Sequence, residues 1–167
     1  MKEGVLFMGK HWADDDEYIA IISDILYTKE VQHLDDFVQH HVTTRLAHSL
    51  SVSYTSYLIG KRLGLDCRSI ARAGLLHDMF YYDWRTTKFD EGTHAYMHPR
   101  IAVKNAEKIT TLNAVERDII LKHMWGATIG LPRYKESYVV TMVDKYCAVS
   151  EVVGYVFKKR MGHLIKH

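Results

Sequence analysis

Apolar residues recurring at three- and four-residue steps, over stretches too long for strands and with almost no proline, most constrain this chain. Such spacing lines one face of an α-helix, whereas a half-buried strand needs strict alternation. Proline occurs only at Pro99 and Pro132, and no Gly/Ser linker, repeat or low-complexity run interrupts the pattern. Tyr18, Ile21, Ile22, Ile25 and Leu26 follow the acidic run Asp14 to Glu17, which suits a helix N-terminus. The spacing predicts further helices over about 31–40, 44–63, 67–80, from about Pro99, from a cap at Asn113, and over about 134–157. Gly64 reads as a helix stop, and Asp66 as the cap of the next helix. Residues 81–93 read as an aromatic and polar loop, and no strand pair is expected. The fold class is all-α, a helical bundle of about six to eight helices, with 1–167 expected as one domain.

Composition narrows the function. The chain has 167 residues, 22 basic and 20 acidic, for a formal net charge of +2. Such a balance offers no concentrated basic face, so a nucleic-acid partner is not expected. No segment reads as a secretory signal or a membrane span, and two cysteines, Cys67 and Cys147, do not make a disulfide framework. The expectation is a cytoplasmic protein without a membrane partner. A homo-oligomer is compatible with the sequence, which by itself assigns no surface to it.

The unusual count is eleven histidines, because imidazole is the commonest metal ligand. Gly74-Leu75-Leu76-His77-Asp78 places an imidazole and a carboxylate together in an apolar segment, where both are costly to bury without strong partners. A metal is such a partner, although a hydrogen-bonded core pair would also serve. Asp144 has Val140, Thr141, Cys147 and Ala148 at helical spacing, with no cation among them, so its partner must come from another element. His48 alone would read as an ordinary polar-face histidine. Taken in order, His48, His77-Asp78 and Asp144 supply two imidazoles and two carboxylates, a donor set suited to a divalent metal.

That ordered array resembles the HD superfamily of metal-dependent phosphohydrolases over roughly Gln39 to Glu151, including the Arg45-x-x-His48-Ser49 helix start and the Ala73-Gly74-Leu75-Leu76-His77-Asp78 run. The resemblance implies an all-helical fold in which His48, His77, Asp78 and Asp144 hold a metal. By the same resemblance to two-metal relatives, His98 and His123 hold a second metal, with Asp78 bridging. Taken without it, His98 is a helix-start residue and His123 a histidine favoured by a helix C-terminus. His94 is a second contact or a loop histidine; His11, His33, His40, His163 and His167 read as solvated, and His41 carries no assignment.

The chain departs from many relatives after the HD pair, where Met79-Phe80-Tyr81-Tyr82-Asp83-Trp84-Arg85 stands in place of Ile-Gly and a lysine. A Gly-Tyr-Pro signature, which marks the cyclic-dinucleotide branch, is also absent. The pattern is similar to small bacterial HD proteins and, more distantly, to HD enzymes that hydrolyse diadenosine polyphosphates.

The resemblance implies hydrolysis of a phosphate ester or anhydride by a metal-bound hydroxide, on a small phosphorylated substrate, with nucleotides among the candidates. His77 and Asp78 would sit at the reacting centre. Arg45, Arg85, Lys145 and His94 are the candidate substrate contacts, since cations hold phosphate, and Tyr81, Tyr82, Trp84, Phe89 and Trp125 could stack a base. The cofactor expected is a divalent transition metal, two per chain, with iron, manganese, cobalt and nickel all suited to a His/Asp site. Two alternatives stay open: an HD-type di-iron oxygenase with the same ligands, and a non-catalytic nucleotide- or metal-binding module.

Overall fold

The computed structural model describes residues 11–39 and 43–164 of the chain. Among these described residues lie seven α-helices, α1 (Asp16–Leu26), α2 (Lys29–Gln32), α3 (Arg45–Leu63), α4 (Cys67–Leu76), α5 (His94–Ala106), α6 (Ala114–Lys122) and α7 (Lys135–Leu164). The architecture is all-α, as the periodicity requires, apart from one two-residue antiparallel pair, β1 (Val38–Gln39) and β2 (Thr43–Thr44). Among the described residues no helix is long and apolar enough to cross a membrane.

Local chemistry sets most helix ends. Asp15, Thr44 and Asp66 each accept a backbone N–H from the first turn of α1, α3 and α4, while Asn113 and Glu116 close a reciprocal capping box on α6. Gly64 ends α3 at φ 65°, a left-handed conformation that glycine adopts without a Cβ penalty.

The centre of the bundle is α4, which packs against α1, α3, α5, α6 and α7. Its small residues allow this. A Cβ added to Gly74 would stand 2.8 Å from the Ser53 Cα, so α3 and α4 meet backbone to backbone. Ser53 ties three helices together, accepting from the Tyr18 hydroxyl at 2.7 Å and donating to the Ala71 carbonyl at 2.6 Å. Ile22, Ile25, Leu75, Leu76, Ile119 and Ile120 fill the space around it, each side chain contributing about 1.5–3 kcal/mol by its burial.

Several elements differ from the sequence expectation. The helix expected over 31–40 is only α2 and a 3₁₀ turn, His33–Asp36. The Phe37 carbonyl then accepts the Arg45 N–H at 2.8 Å, and the chain runs into β1. The helix expected to reach Phe80 stops at Leu76. His77 Nδ1 takes the Gly74 carbonyl at 2.8 Å, and carbonyls beyond it are captured from other elements, Met79 by Asn105 Nδ2 and Phe80 by Arg45. Pro99 lies inside α5 rather than at its start, which is His94 after a Thr93 N-cap. Finally, α7 runs to Leu164, seven residues beyond the expected end. His40, His41 and His167 lie outside the described residues, and no side chain is described for His163.

Candidate metal centre

Four imidazoles and two carboxylates meet where α3, the end of α4, α5, the end of α6 and α7 converge. His48 comes from the first turn of α3, His77 and Asp78 from the turn ending α4, and His98 from α5. His123 caps the C-terminus of α6, and Asp144 comes from α7. His48, His77, Asp78, His98 and His123 are all buried. The expected ligand set is thus brought together. Three triads each place one ligand atom per residue within 4.8 Å of the others: His48, His77 and Asp78; His77, His123 and Asp144; and Asp78, His98 and His123.

The outer nitrogens fix the rings. Nδ1 of His77, His98 and His123 donates to the carbonyl of Gly74, His94 and Ile120 at 2.8, 2.9 and 2.8 Å, each three or four residues back on its own helix. These bonds set the tautomer and turn each Nε2 lone pair inward. His98 and His123 Nε2 stand only 2.7 Å apart, and both approach Asp78 Oδ1, at 3.2 and 3.6 Å. Two lone pairs at that separation repel unless the rings share a proton or a metal ion. His77 Nε2 is buried without a hydrogen-bond partner, 3.6 Å from Asp78 Oδ2 and 3.5 Å from Asp144 Oδ1. A buried acceptor left this way is costly, and a divalent metal satisfies it.

Charge follows the same geometry. Burial opposes the ionised form of Asp78, yet positive charge on His77 and His98 outweighs it and holds the carboxyl well below the usual range, a place that a metal cation would take when those rings are neutral. Asp144 is lowered in the same way, burial being overcome by His48 and His77. Burial and the neighbouring His98 and His77 push His123 down to about 3, so its ring stays neutral at pH 7 and can ligate.

Sequence reasoning missed two supporting side chains. Glu151, 6% exposed, accepts from His48 Nδ1 at 2.9 Å and from the Thr43 hydroxyl at 3.0 Å, while His48 Nε2 faces Asp144 at 3.0 Å. Its signal was its position two turns after Asp144 on one helix face. Gln39 Nε2 donates to Asp78 Oδ2 at 2.9 Å; only the β1–β2 pairing places it there, and no spacing reveals that.

The candidate substrate contacts divide. Arg45 is buried rather than presented to a ligand: Nη1 donates to the Phe80 carbonyl at 2.6 Å, Nη2 to the Tyr82 carbonyl at 3.3 Å and Nε to Gln39 at 3.3 Å. Its guanidinium lies 3.6 Å above the Phe80 ring. The expectation that Arg45 holds substrate phosphate is therefore corrected, because its donors are spent on the chain that follows the HD pair. Arg85 lies 3.7 Å from Asp83 and does not line the cavity beside the candidate ligands. Lys145 and His94 do line it, with Trp84, Met124 and Gln39, around a volume of about 300 Å³. Lys145 Nζ donates to the His123 carbonyl at 3.3 Å. Of the expected aromatics, Trp84 stacks on His94 and borders the cavity, whereas Trp125 packs on Tyr138 and the Tyr81 hydroxyl donates to the Glu30 carbonyl.

With this geometry established, comparison with known proteins identifies the family: residues 45–154 match the HD domain. The chain belongs to the HD domain family. Ribonuclease Y of Mycoplasma capricolum subsp. capricolum is 38% identical over 72 residues, and that of Clostridium perfringens 39% over 70. Ribonuclease Y of Protochlamydia amoebophila is likewise 39% identical over 70 residues. Each match covers 42% of this chain and 13% of the relative, so the HD protein described here spans only a small part of their length. No solved structure is significantly similar.

Proposed function

We propose that this HD protein is a metal-dependent phosphohydrolase acting on a small phosphorylated substrate. His48, His77, Asp78 and Asp144 would hold one divalent transition metal and His98 and His123 a second, with Asp78 shared. The observation that carries this reading is the inward, tautomer-fixed Nε2 array: three imidazoles locked by their own helix carbonyls around two carboxylates. Divalent metal supplies Lewis acidity toward phosphoryl oxygens and makes water acidic enough to attack phosphorus near neutral pH. Nothing in core packing alone calls for four buried imidazoles on two acids, which also weighs against a purely structural module.

The remaining residues orient and bind. Gln39 fixes one oxygen of Asp78, and Arg45 fixes Gln39, so the shared carboxylate keeps one rotamer. Lys145 is a half-buried cation beside Asp144 at the cavity wall, placed to meet a phosphoryl oxygen as a point charge. Burial and the nearby His98 push His94 down to about 4, so at pH 7 it meets substrate as a neutral hydrogen-bonding ring, held by the Tyr82 hydroxyl at 3.1 Å. Trp84 offers an aromatic face at the same wall. A volume of about 300 Å³ suits one phosphorylated small molecule, at the low end of ordinary ligand pockets.

A second reading, hydrolysis of RNA, is favoured by the likeness to proteins called ribonuclease Y. Metal content per chain is measured first; phosphate release is then followed for phosphomonoesters and nucleotides and strand scission for a short RNA, with oxygen uptake in parallel. Release from a small phosphomonoester or nucleotide, abolished in Asp78→Ala, supports the proposal. RNA cleavage alone would replace the substrate, oxygen uptake without phosphate release would replace the reaction with the oxygenase, and metal binding without turnover would leave a binding module.

A further inference from the structure

The helix α7 has two apolar faces, and the core absorbs only one. Val140, Val143 and Cys147 are buried against the bundle, and Asp144 and Glu151 on that side reach the metal centre. At about 100° per residue the opposite side carries Met142, Tyr146, Val149, Val153 and Val156. These are 60%, 57%, 62%, 46% and 54% exposed. Their separations are four, three, four and three residues, the spacing of a helix seam that meets another helix rather than water. Val152, Tyr155 and Phe157 are exposed beside them. Over this last stretch the apolar side chains cover more than half of the circumference of α7, all of it on the side away from Glu151 and the bundle, wider than the seam alone.

We propose that this seam is the docking surface for a second copy of the chain, α7 against α7 about a two-fold axis. A two-fold pair needs a patch that is complementary to itself, and a seam of alternating four and three spacing meets that condition without any second surface. The eight exposed side chains lay out roughly 600 Å² of apolar surface, of the order of the ~800 Å² that each partner contributes to a standard interface. It also reaches the upper end of the ~300–600 Å² of the largest patch on a typical monomer. A shallow groove along Ala148, Val149, Val152 and Val153 is a seat for a partner side chain. Ala148 lines both this groove and the cavity at the metal centre, so the second copy would stand beside the mouth of that cavity.

Sedimentation equilibrium on the full chain tests this across the micromolar range. The expected mass is twice the 19.4 kDa of one chain. Val149→Glu with Val153→Glu shifts it to one chain, with the circular dichroism of the helices unchanged because neither side chain is in the core. Ile129→Glu, which alters a fully exposed apolar residue away from α7, leaves the dimer intact. A wild-type chain that is monomeric throughout overturns the proposal, and if that monomer co-sediments with anionic phospholipid vesicles the seam is a membrane face instead. A dimer that persists in the double glutamate variant places the interface elsewhere and equally overturns it.

Discussion

Replacing Glu151 with alanine separates a residue that supports the metal site from one that merely fills space. The Glu151 carboxylate is 6% exposed and accepts from His48 Nδ1 at 2.9 Å, a charge-assisted bond between two buried groups. Its other oxygen is fixed by the Thr43 hydroxyl at 3.0 Å. Removing it leaves the His48 N–H buried without this acceptor, a penalty of ~1–3 kcal/mol, and frees the ring to rotate away from Asp144. Losing the partner of a metal-bound histidine typically weakens metal affinity by about 10–100-fold, equivalent to ~1.4–2.8 kcal/mol. The Glu151→Ala variant is therefore expected to bind metal 10–100-fold more weakly (on the order of that general cost) and to keep its helices. Competition with a chromophoric chelator measures this, with Ser150→Ala as the exposed neighbour control. Affinity unchanged from wild type in Glu151→Ala, while Asp144→Ala loses metal, would refute the relay through His48.

Asp78→Ala is expected to remove metal and activity together while the helices persist, and His98→Ala or His123→Ala to lower the stoichiometry from two metals toward one by elemental analysis; two metals retained in Asp78→Ala would remove its bridging role. Chelation should lower the melting temperature, since a ligand held at a hundred times its dissociation constant stabilises the folded state by about 2.7 kcal/mol. Arg45→Ala strands the Phe80 and Tyr82 carbonyls and should destabilise the fold by ~2–4 kcal/mol in urea denaturation, whereas a pure phosphate contact would change KM and leave stability untouched. Gly74→Ala drives a Cβ to 2.8 Å from the Ser53 backbone and should cost ~1–3 kcal/mol, seen as a lower urea midpoint; an unchanged midpoint means that α3 and α4 can separate freely. Lys145→Ala should raise KM for a phosphorylated substrate with metal content unchanged, and a loss of metal instead would assign the lysine to holding the His123 turn.

What the sequence determined by itself was the helical class, several helix ends and a candidate ligand set. Helical spacing, the stop at Gly64 and the caps at Asp66 and Asn113 are local physics, acting within one turn, so they can be read in order along the chain. His77, Asp78 and Asp144 stood out because an imidazole and carboxylates in apolar segments without nearby counter-charges need an outside partner, whereas His48 joined them through the ordered array, and His98 and His123 only through the resemblance to two-metal HD proteins. The tertiary structure alone decided which side chains support them. Glu151, itself held by Thr43, meets His48, and Gln39 and Arg45 stand behind Asp78, through contacts spanning 35 to 108 residues or through a two-residue strand pair. No local propensity encodes those separations. The same limit explains Arg45, whose chemistry suits phosphate but whose position spends it on carbonyls. It also explains α7, where helical spacing does not say which side is covered and only the packing of the bundle determines that Val140 and Val143 are buried while Val149 and Val153 face outward.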